Sequence, residues 1–261
     1  MTFAALAMAL AILPQTSDPA SPEMWESTRT DTVALATLSL QDGISLAVRC
    51  RDGTFDFIIA GLPVVDRINR ALVVPFGGFD DYTTRWSQSP DRTQAFSPLP
   101  APMARDLVNG GRFQITLMEN DVNGAHFEYQ LPPSNGKIEE VLLACGRPVV
   151  DTRFRFKMVA SEPGQVMIRR VPQSRFPAEA RRAGRTFGAV TTTCVGRPNR
   201  RIDDCVVESE SPPGFGFGQS VLQAMPQARL GDINFPVSGE PVMVVINTTF
   251  DGRPRQGSAR R

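Results

Sequence analysis

The segment from Gly188 to Ser209 constrains this chain more than any other. Gly188-Ala-Val-Thr-Thr-Thr-Cys-Val195 and Ile202 to Ser209 are runs rich in β-branched residues, and the turn-forming Gly196-Arg-Pro-Asn199 separates them. Two such runs around a short turn predict a β-hairpin. Each run carries one cysteine. If Cys194 and Cys205 face each other, paired positions sum to 399, which centres the turn between Asn199 and Arg200 and sets Val190 opposite Ser209.

The flanking elements can be read outward from that hairpin. Pro177 in Phe-Pro-Ala-Glu-Ala-Arg-Arg-Ala-Gly sits where proline is tolerated in a first helical turn, and Gly184 is a C-terminal stop, so a short helix precedes the hairpin. After it, the glycine-rich bend Pro212 to Gly218 leads into a helix predicted over Gln219 to Met225, with Val221, Leu222 and Met225 on one face. Gly239-Glu-Pro241 turns the chain into Val242-Met-Val-Val-Ile-Asn-Thr-Thr-Phe250, an apolar run too short to span a membrane and bounded by turn residues, hence a strand. The expected order is α-β-β-α-β.

Phe176-Pro177, Ala180-Arg181, Gly184, Gly188, the hairpin, Gly239, Pro241-Val242 and Phe250, in that order and spacing, resemble the TonB C-terminal domain family over about a third of the chain, residues 172–250. The resemblance implies a sheet edge near the C-terminus that receives an extended peptide from an outer-membrane or other envelope component by strand addition. The matching positions are Val242, Val244, Ile246, Thr248 and Phe250. The competing expectation is that this strand only completes the sheet, its edge covered by the rest of the protein or by residues 251–261. Two features depart from the family pattern: the cysteine pair, and Gly214 to Gly218 in place of a more acidic helix start. The cysteine-bearing form resembles a tail fused to a secreted protein more than an energy transducer.

Localisation follows from the start of the chain and the cysteines. Phe3 to Leu13 is an unbroken apolar run of 11 residues, enough for a signal-peptide core within residues 1–20 and short of the ~20 needed to cross a bilayer. A periplasmic or secreted protein is expected, although no basic residue precedes the run. An upstream start that lengthened it into an anchor would give the alternative, a membrane-anchored TonB-type transducer. Four cysteines allow three pairings. The hairpin favours Cys194 with Cys205, which leaves Cys50 with Cys145; four free thiols in a reducing compartment are the competing case. No C-x-x-C spacing points to a redox motif or a zinc ribbon, and no metal is expected.

The chain of 261 residues, 41% hydrophobic, has room for two domains, and the fold class expected is α+β. Residues 24–150 read as mostly antiparallel β with two helices. Ser45 to Cys50, Thr54 to Ala60 and Ala71 to Phe76 are strands, with a tight turn at Asp52-Gly53. A helix follows at Met103 to Val108, then a hairpin of Arg112 to Met118 with Ala125 to Leu131. A helix from about Ser134 to Ala144 returns Cys145 to the sheet. Leu46-Ala-Val-Arg-Cys50 and Leu143-Ala-Cys-Gly146, with Trp86-Ser87 between them, resemble small secreted accessory domains such as those of type VI secretion. Within residues 151–171, Thr152 to Ala160 alternates like an edge strand, and no proline-rich spacer of the kind that crosses a periplasm is present.

Chemistry is sparsely encoded. His126 is the single histidine, so a hydrolase-like enzyme, the second alternative, would have to work through it, and neither G-x-S-x-G nor H-E-x-x-H surrounds it. Asp80-Asp81, Glu139-Glu140 and Asp203-Asp204 are adjacent acids whose side chains diverge on a strand or helix. Gly214-Phe-Gly-Phe-Gly-Gln lacks the third glycine of a dinucleotide loop at Gln219. No catalytic residue and no cofactor is expected. A net charge of +1 gives no reason to expect nucleic acid, whereas Arg169, Arg170, Arg175, Arg181, Arg182 and Arg185, with the arginines of a disordered basic tail at 251–261, suit peripheral contact with a membrane or an acidic partner. The reading is a non-enzymatic envelope protein that binds a protein or peptide.

Overall fold

The computed structural model describes residues 24–67, 69–76, 83–119, 122–159, 168–170, 174–231, 235 and 239–252. The segment expected to be a signal peptide, Asp80-Asp81, the Glu162-Pro-Gly turn and the tail from residue 253 lie outside them, whereas Asp251, expected to begin the disordered tail, pairs with Phe187 at the end of the last strand.

Period-two burial organises the first part of the chain. Ala34, Ala36 and Leu38, then Leu46, Val48 and Cys50, then Phe55, Phe57 and Ile59 alternate inward along successive strands. The strands are β1 (Glu26–Arg29), β2 (Val33–Ser39), β3 (Ser45–Arg51), β4 (Thr54–Ala60), β5 (Asn69–Val73), β6 (Thr83–Gln88), β7 (Gln94–Phe96), β8 (Gly111–Glu119) and β9 (Val122–Leu131). They form one antiparallel sheet in the order β1-β2-β3-β4-β7-β6-β5-β8-β9. Helices α1 (Pro100–Asp106) and α2 (Lys137–Ala144) cover its apolar face. Phe57 sits at the centre, edge-on to Trp86 at 6.1 Å and to Phe113 at 6.5 Å between ring centroids. The Cys50–Cys145 bridge ties the end of α2 to β3 with its Cα atoms 5.4 Å apart.

A second sheet follows, built from β10 (Met158–Val159), β12 (Phe187–Gly196), β13 (Ile202–Ser211) and β15 (Val242–Asp251) in the order β10-β15-β12-β13. A separate two-stranded ladder joins β11 (Ile168–Arg170) to β14 (Arg229–Leu230). Helices α3 (Ala178–Arg182) and α4 (Phe217–Ala224) help build the core on one face, where Phe176, Phe217 and Phe250 form a ring cluster with centroids 5.0–6.3 Å apart. Gly184, at φ +67°, ends α3 as the sequence predicts. The opposite face meets the first part of the molecule. Val245 belongs to the first core, and Ser209 Oγ donates to Pro98 O at 3.0 Å.

The α-β-β-α-β order is present, and strand predominates over helix throughout, so the α+β class narrows to short helices laid on mostly antiparallel sheets. Three local expectations change. Thr152–Arg155 is a 3₁₀ turn rather than edge strand, because Asp151 caps it by accepting from Arg153 N; only Met158–Val159 joins the sheet, parallel to β15. Leu222 is exposed: α4 starts at Phe217, after Gly216 at φ +78°, and its buried stripe runs through Phe217, Val221, Ala224 and Met225, with Leu222 off to one side. Finally, the 399 register holds at Thr192↔Val207 and Thr193↔Val206 alone. Irregularities on either side place Val190 opposite Glu210 and Val195 opposite Asp203.

Candidate functional site

The backbone of β15 has two unlike sides. Its inner side pairs with β12 without interruption from Phe187↔Asp251 to Gly196↔Val242. Gly252 N donates to Thr186 O at 2.8 Å, so the hydrogen-bonded pairs along this ladder carry the even-numbered residues of β15. The odd-numbered residues therefore aim N–H and C=O at the outer edge, and Met243 N does donate outward, to Lys157 O at 2.9 Å. The Met158↔Met243 and Val159↔Val244 pairing occupies that edge as far as Val245. Beyond it, among the described residues, no strand pairs with the outer side, and the outward groups of the exposed Asn247 and Thr249 meet no strand.

The side chains read from the sequence as binding positions divide differently. Val242, Val244, Ile246 and Phe250 are buried in the core with α4, and Thr248 is half-buried. They hold the strand in place, while the atoms that can receive another strand belong to the alternate positions. That distinction needs the hydrogen-bond phase of the ladder, which the sequence does not carry.

Other sheet edges are blunted by charge. β1 is four residues long and carries Glu26 and Arg29. β9 carries Glu128, paired with Arg112 at 2.8 Å, and the exposed His126. On the far side of the second sheet, Val207 O of β13 accepts from Arg147 Nη2 at 2.8 Å and Asp204 O accepts from Arg153 Nη1 at 3.0 Å. Charges and occupied carbonyls discourage strand pairing. The stretch Ile246-Asn-Thr-Thr-Phe250 has no charge, and the outward carbonyls of Asn247 and Thr249 meet no strand among the described residues.

Between the two sheets lies a buried ionic cluster that the sequence reading missed. Arg153 donates to Asp151 through Nε at 2.9 Å and Nη2 at 2.6 Å, and its Nη2 is 3.6 Å from Glu208. Thr193 Oγ1 donates to Glu208 Oε1. Arg105 Nε donates to Pro148 O at 2.9 Å, and Arg105 Nη1 lies 3.5 Å from Asp151 Oδ2, an electrostatic contact rather than a hydrogen bond. Burial pushes the Glu208 carboxyl above the usual range, against the Thr193 bond and the charges of Arg147, Arg153 and Arg105. Burial acts the same way on Asp151, but hydrogen bonds from Arg153 outweigh it and hold that carboxyl below the usual range. Burial lowers Arg105, whereas for Arg153 the Asp151 interaction overcomes burial and raises it.

The remaining candidates are dispersed. His126 is about half exposed on β9, with Nδ1 2.9 Å from Thr116 Oγ1 and Nε2 3.9 Å from Glu128. Glu139 accepts from Ser134 Oγ at the start of α2, away from Asp203, which pairs with Arg197 at 2.9 Å. Phe217 of the glycine-rich bend is a core residue, and Phe215 is half-buried under the Arg185 guanidinium. The acidic helix start missing from that bend is supplied by the end of the preceding strand: Glu210 of β13 accepts from Phe215 N, Phe217 N and Gly218 N at 3.1–3.2 Å. Cys194 and Cys205 are bridged across the hairpin with Cα atoms 4.1 Å apart, so the described cysteines are all paired. Among the described residues no group of acids, cysteines or histidine is arranged to hold a metal ion, and no helix is long and apolar enough to cross a membrane.

The fold and its edge define a mostly-β chain with two disulfides, a chemistry at home in oxidising compartments. The chain is similar to the solution structure of the Pseudomonas aeruginosa TonB C-terminal domain, at 23% identity, over 40% of this chain and 97% of that one, with a TM-score of 0.27. A TM-score that low is too weak to assign a fold. No family model and no curated protein matches the sequence.

Proposed function

We propose that this protein acts in the cell envelope, outside the cytoplasm, as a non-enzymatic binding protein that holds an extended segment of a protein partner as an added strand on β15. The observation that carries the reading is the uncharged outer edge at Ile246–Phe250, where outward backbone groups of Asn247 and Thr249 meet no strand among the described residues. Main-chain bonds to such an edge supply affinity with little dependence on partner sequence, and flanking pockets supply selectivity. The two disulfides support the compartment.

A backbone substitution tests it. Thr249→Pro deletes one outward amide and spares the ladder to β12, because Thr249 faces away from that strand. Peptides selected against the full chain from a displayed random library should bind Thr249→Pro at least about tenfold more weakly, the scale of one lost hydrogen bond with its geometry disturbed. Peptides that bind the variant as tightly as the parent chain would place the binding surface elsewhere and defeat the proposal.

A further inference from the structure

The junction between the two sheets contains more cationic hydrogen-bonding capacity than the protein itself uses. A cavity of about 240 Å³ opens there, lined among others by Arg105 from α1, Arg147 from the loop after α2, Asp151 and Arg153 from the 3₁₀ turn, and Asp204 from β13. At roughly 30 Å³ per water molecule it has room for a small polyatomic ion with part of its hydration shell.

The charges in the cavity are unevenly spent. Asp151 is committed to Arg153 by two hydrogen bonds from that guanidinium. Arg105 is largely buried, 12% exposed at the side chain, and its Nη1 has no hydrogen-bond acceptor. Arg147 gives Nη2 to Val207 O and has no carboxylate within 4 Å among the described residues. Behind these guanidiniums, Glu208 is almost wholly buried, and its Oε2 also lacks a partner. A buried guanidinium with an idle donor is less stable than a satisfied one, so such a site gains from an acceptor.

We propose that this cavity is a binding site for a small free oxyanion, a phosphate or carboxylate, held by Arg105 and Arg147. Arg105 and Arg147 both line the concavity, and guanidinium forks match the paired oxygens of such an ion. The groups facing Glu208 are the Thr193 hydroxyl from β12, Arg153 from the 3₁₀ turn, Arg105 from α1 and Arg147 from the α2 loop, while Asp151 and Asp204 line the cavity beside those arginines. An ionised Glu208 competes with the ligand for the arginines. A protonated one leaves their field to the ligand, so affinity rises as pH falls through the Glu208 titration. Because α1, the segment after α2 and β13 all line the cavity, an ion there also braces them against each other.

Isothermal titration of the full chain with inorganic phosphate and with acetate, at constant ionic strength set with chloride, tests the site. Saturable one-to-one binding of either ion is expected, weakened at least tenfold by Arg147→Gln and only partly restored by Arg147→Lys, which returns the charge without the fork. Glu208→Gln should bind at least as tightly as the parent chain and lose the pH dependence. Absence of saturable binding to the parent chain, or equal affinity in folded Arg147→Gln, would overturn the proposal. If Arg147→Gln does not fold, the parent-chain titration and its Glu208→Gln pH profile decide alone. Phosphatidylglycerol vesicles that capture the protein through Arg147, with no binding of free phosphate or acetate, would mark a lipid headgroup contact and defeat the free-ion proposal.

Discussion

The two sheets protect themselves in different ways. The first ends in short or charged edges, and the Trp25 indole N–H, just before β1, donates to Pro132 O, just after β9, at 3.3 Å, which ties its extremities together. Its disulfide spans 95 residues and fastens a helix to a strand. The second sheet closes its disulfide within 11 residues, inside the hairpin, and its ionic cluster caps β13. Reinforcement is thus concentrated on one flank of the second sheet. The opposite flank relies on the ladder of β15 with β12, on buried side chains and on the short β10, beyond which, among the described residues, no strand pairs with the outer backbone of β15.

That contrast makes ordered predictions. Replacing Cys50 and Cys145 by alanine should cost about 4–5 kcal/mol, and replacing Cys194 and Cys205 roughly 3 kcal/mol, because the longer loop restricts the unfolded chain more. Denaturant unfolding of the two double variants measures both, and a larger loss from the hairpin pair would reverse the assignment of where covalent closure matters. Gly188→Ala should cost about 1–3 kcal/mol through overpacking alone, since a Cβ there would lie 2.5 Å from the Phe217 ring. Thermal unfolding unaffected by this change would mean that the face beneath α4 is looser than described. Trp25→Phe removes one partly buried hydrogen bond and should cost about 1 kcal/mol, with faster amide exchange at β1 if that bond ties the first sheet.

The pH response should be two-sided, because two groups at the junction shift in opposite directions. Asp151, whose folded carboxyl titrates below its usual range, contributes stability that is present above the unfolded value and lost as pH falls through the folded one. Glu208, raised by burial, contributes stability that is present below the unfolded value and lost as pH rises through the folded one. Melting temperature measured against pH should therefore lose its acid-side decline in Asp151→Asn and its decline above the usual carboxylate range in Glu208→Gln. Parallel curves for either variant would show that its carboxyl is not perturbed by folding.

Local signals explain what was legible in the sequence. The β-branched runs around Gly196 to Asn199, the stop at Gly184 and the apolar Val242 to Phe250 each specify an element through residues a few positions apart, and both disulfides follow once the hairpin is seen. What was missed depends on distant partners. Arg153 looks like one polar step in an alternating run, yet it bends that run into a turn by bonding Asp151 and reaches across to Thr193 O and Asp204 O. Those carbonyls lie where the hairpin register shifts, so the same contact accompanies the failure of the 399 pairing. The strand Thr83–Gln88 was also missed: Thr-Thr-Arg-Trp-Ser-Gln is too polar to read as strand until Trp86 is placed beside Phe57.

Amide hydrogen exchange along β15, resolved by NMR on the full chain, tests the central claim most directly. The free protein should show alternating protection: slow exchange at Ile246, Thr248 and Phe250, which donate to β12, and fast exchange at Asn247 and Thr249, which become protected when a library-selected peptide is added. Uniformly slow exchange at all five positions without peptide would mean that the outer edge is already covered, and would contradict the account.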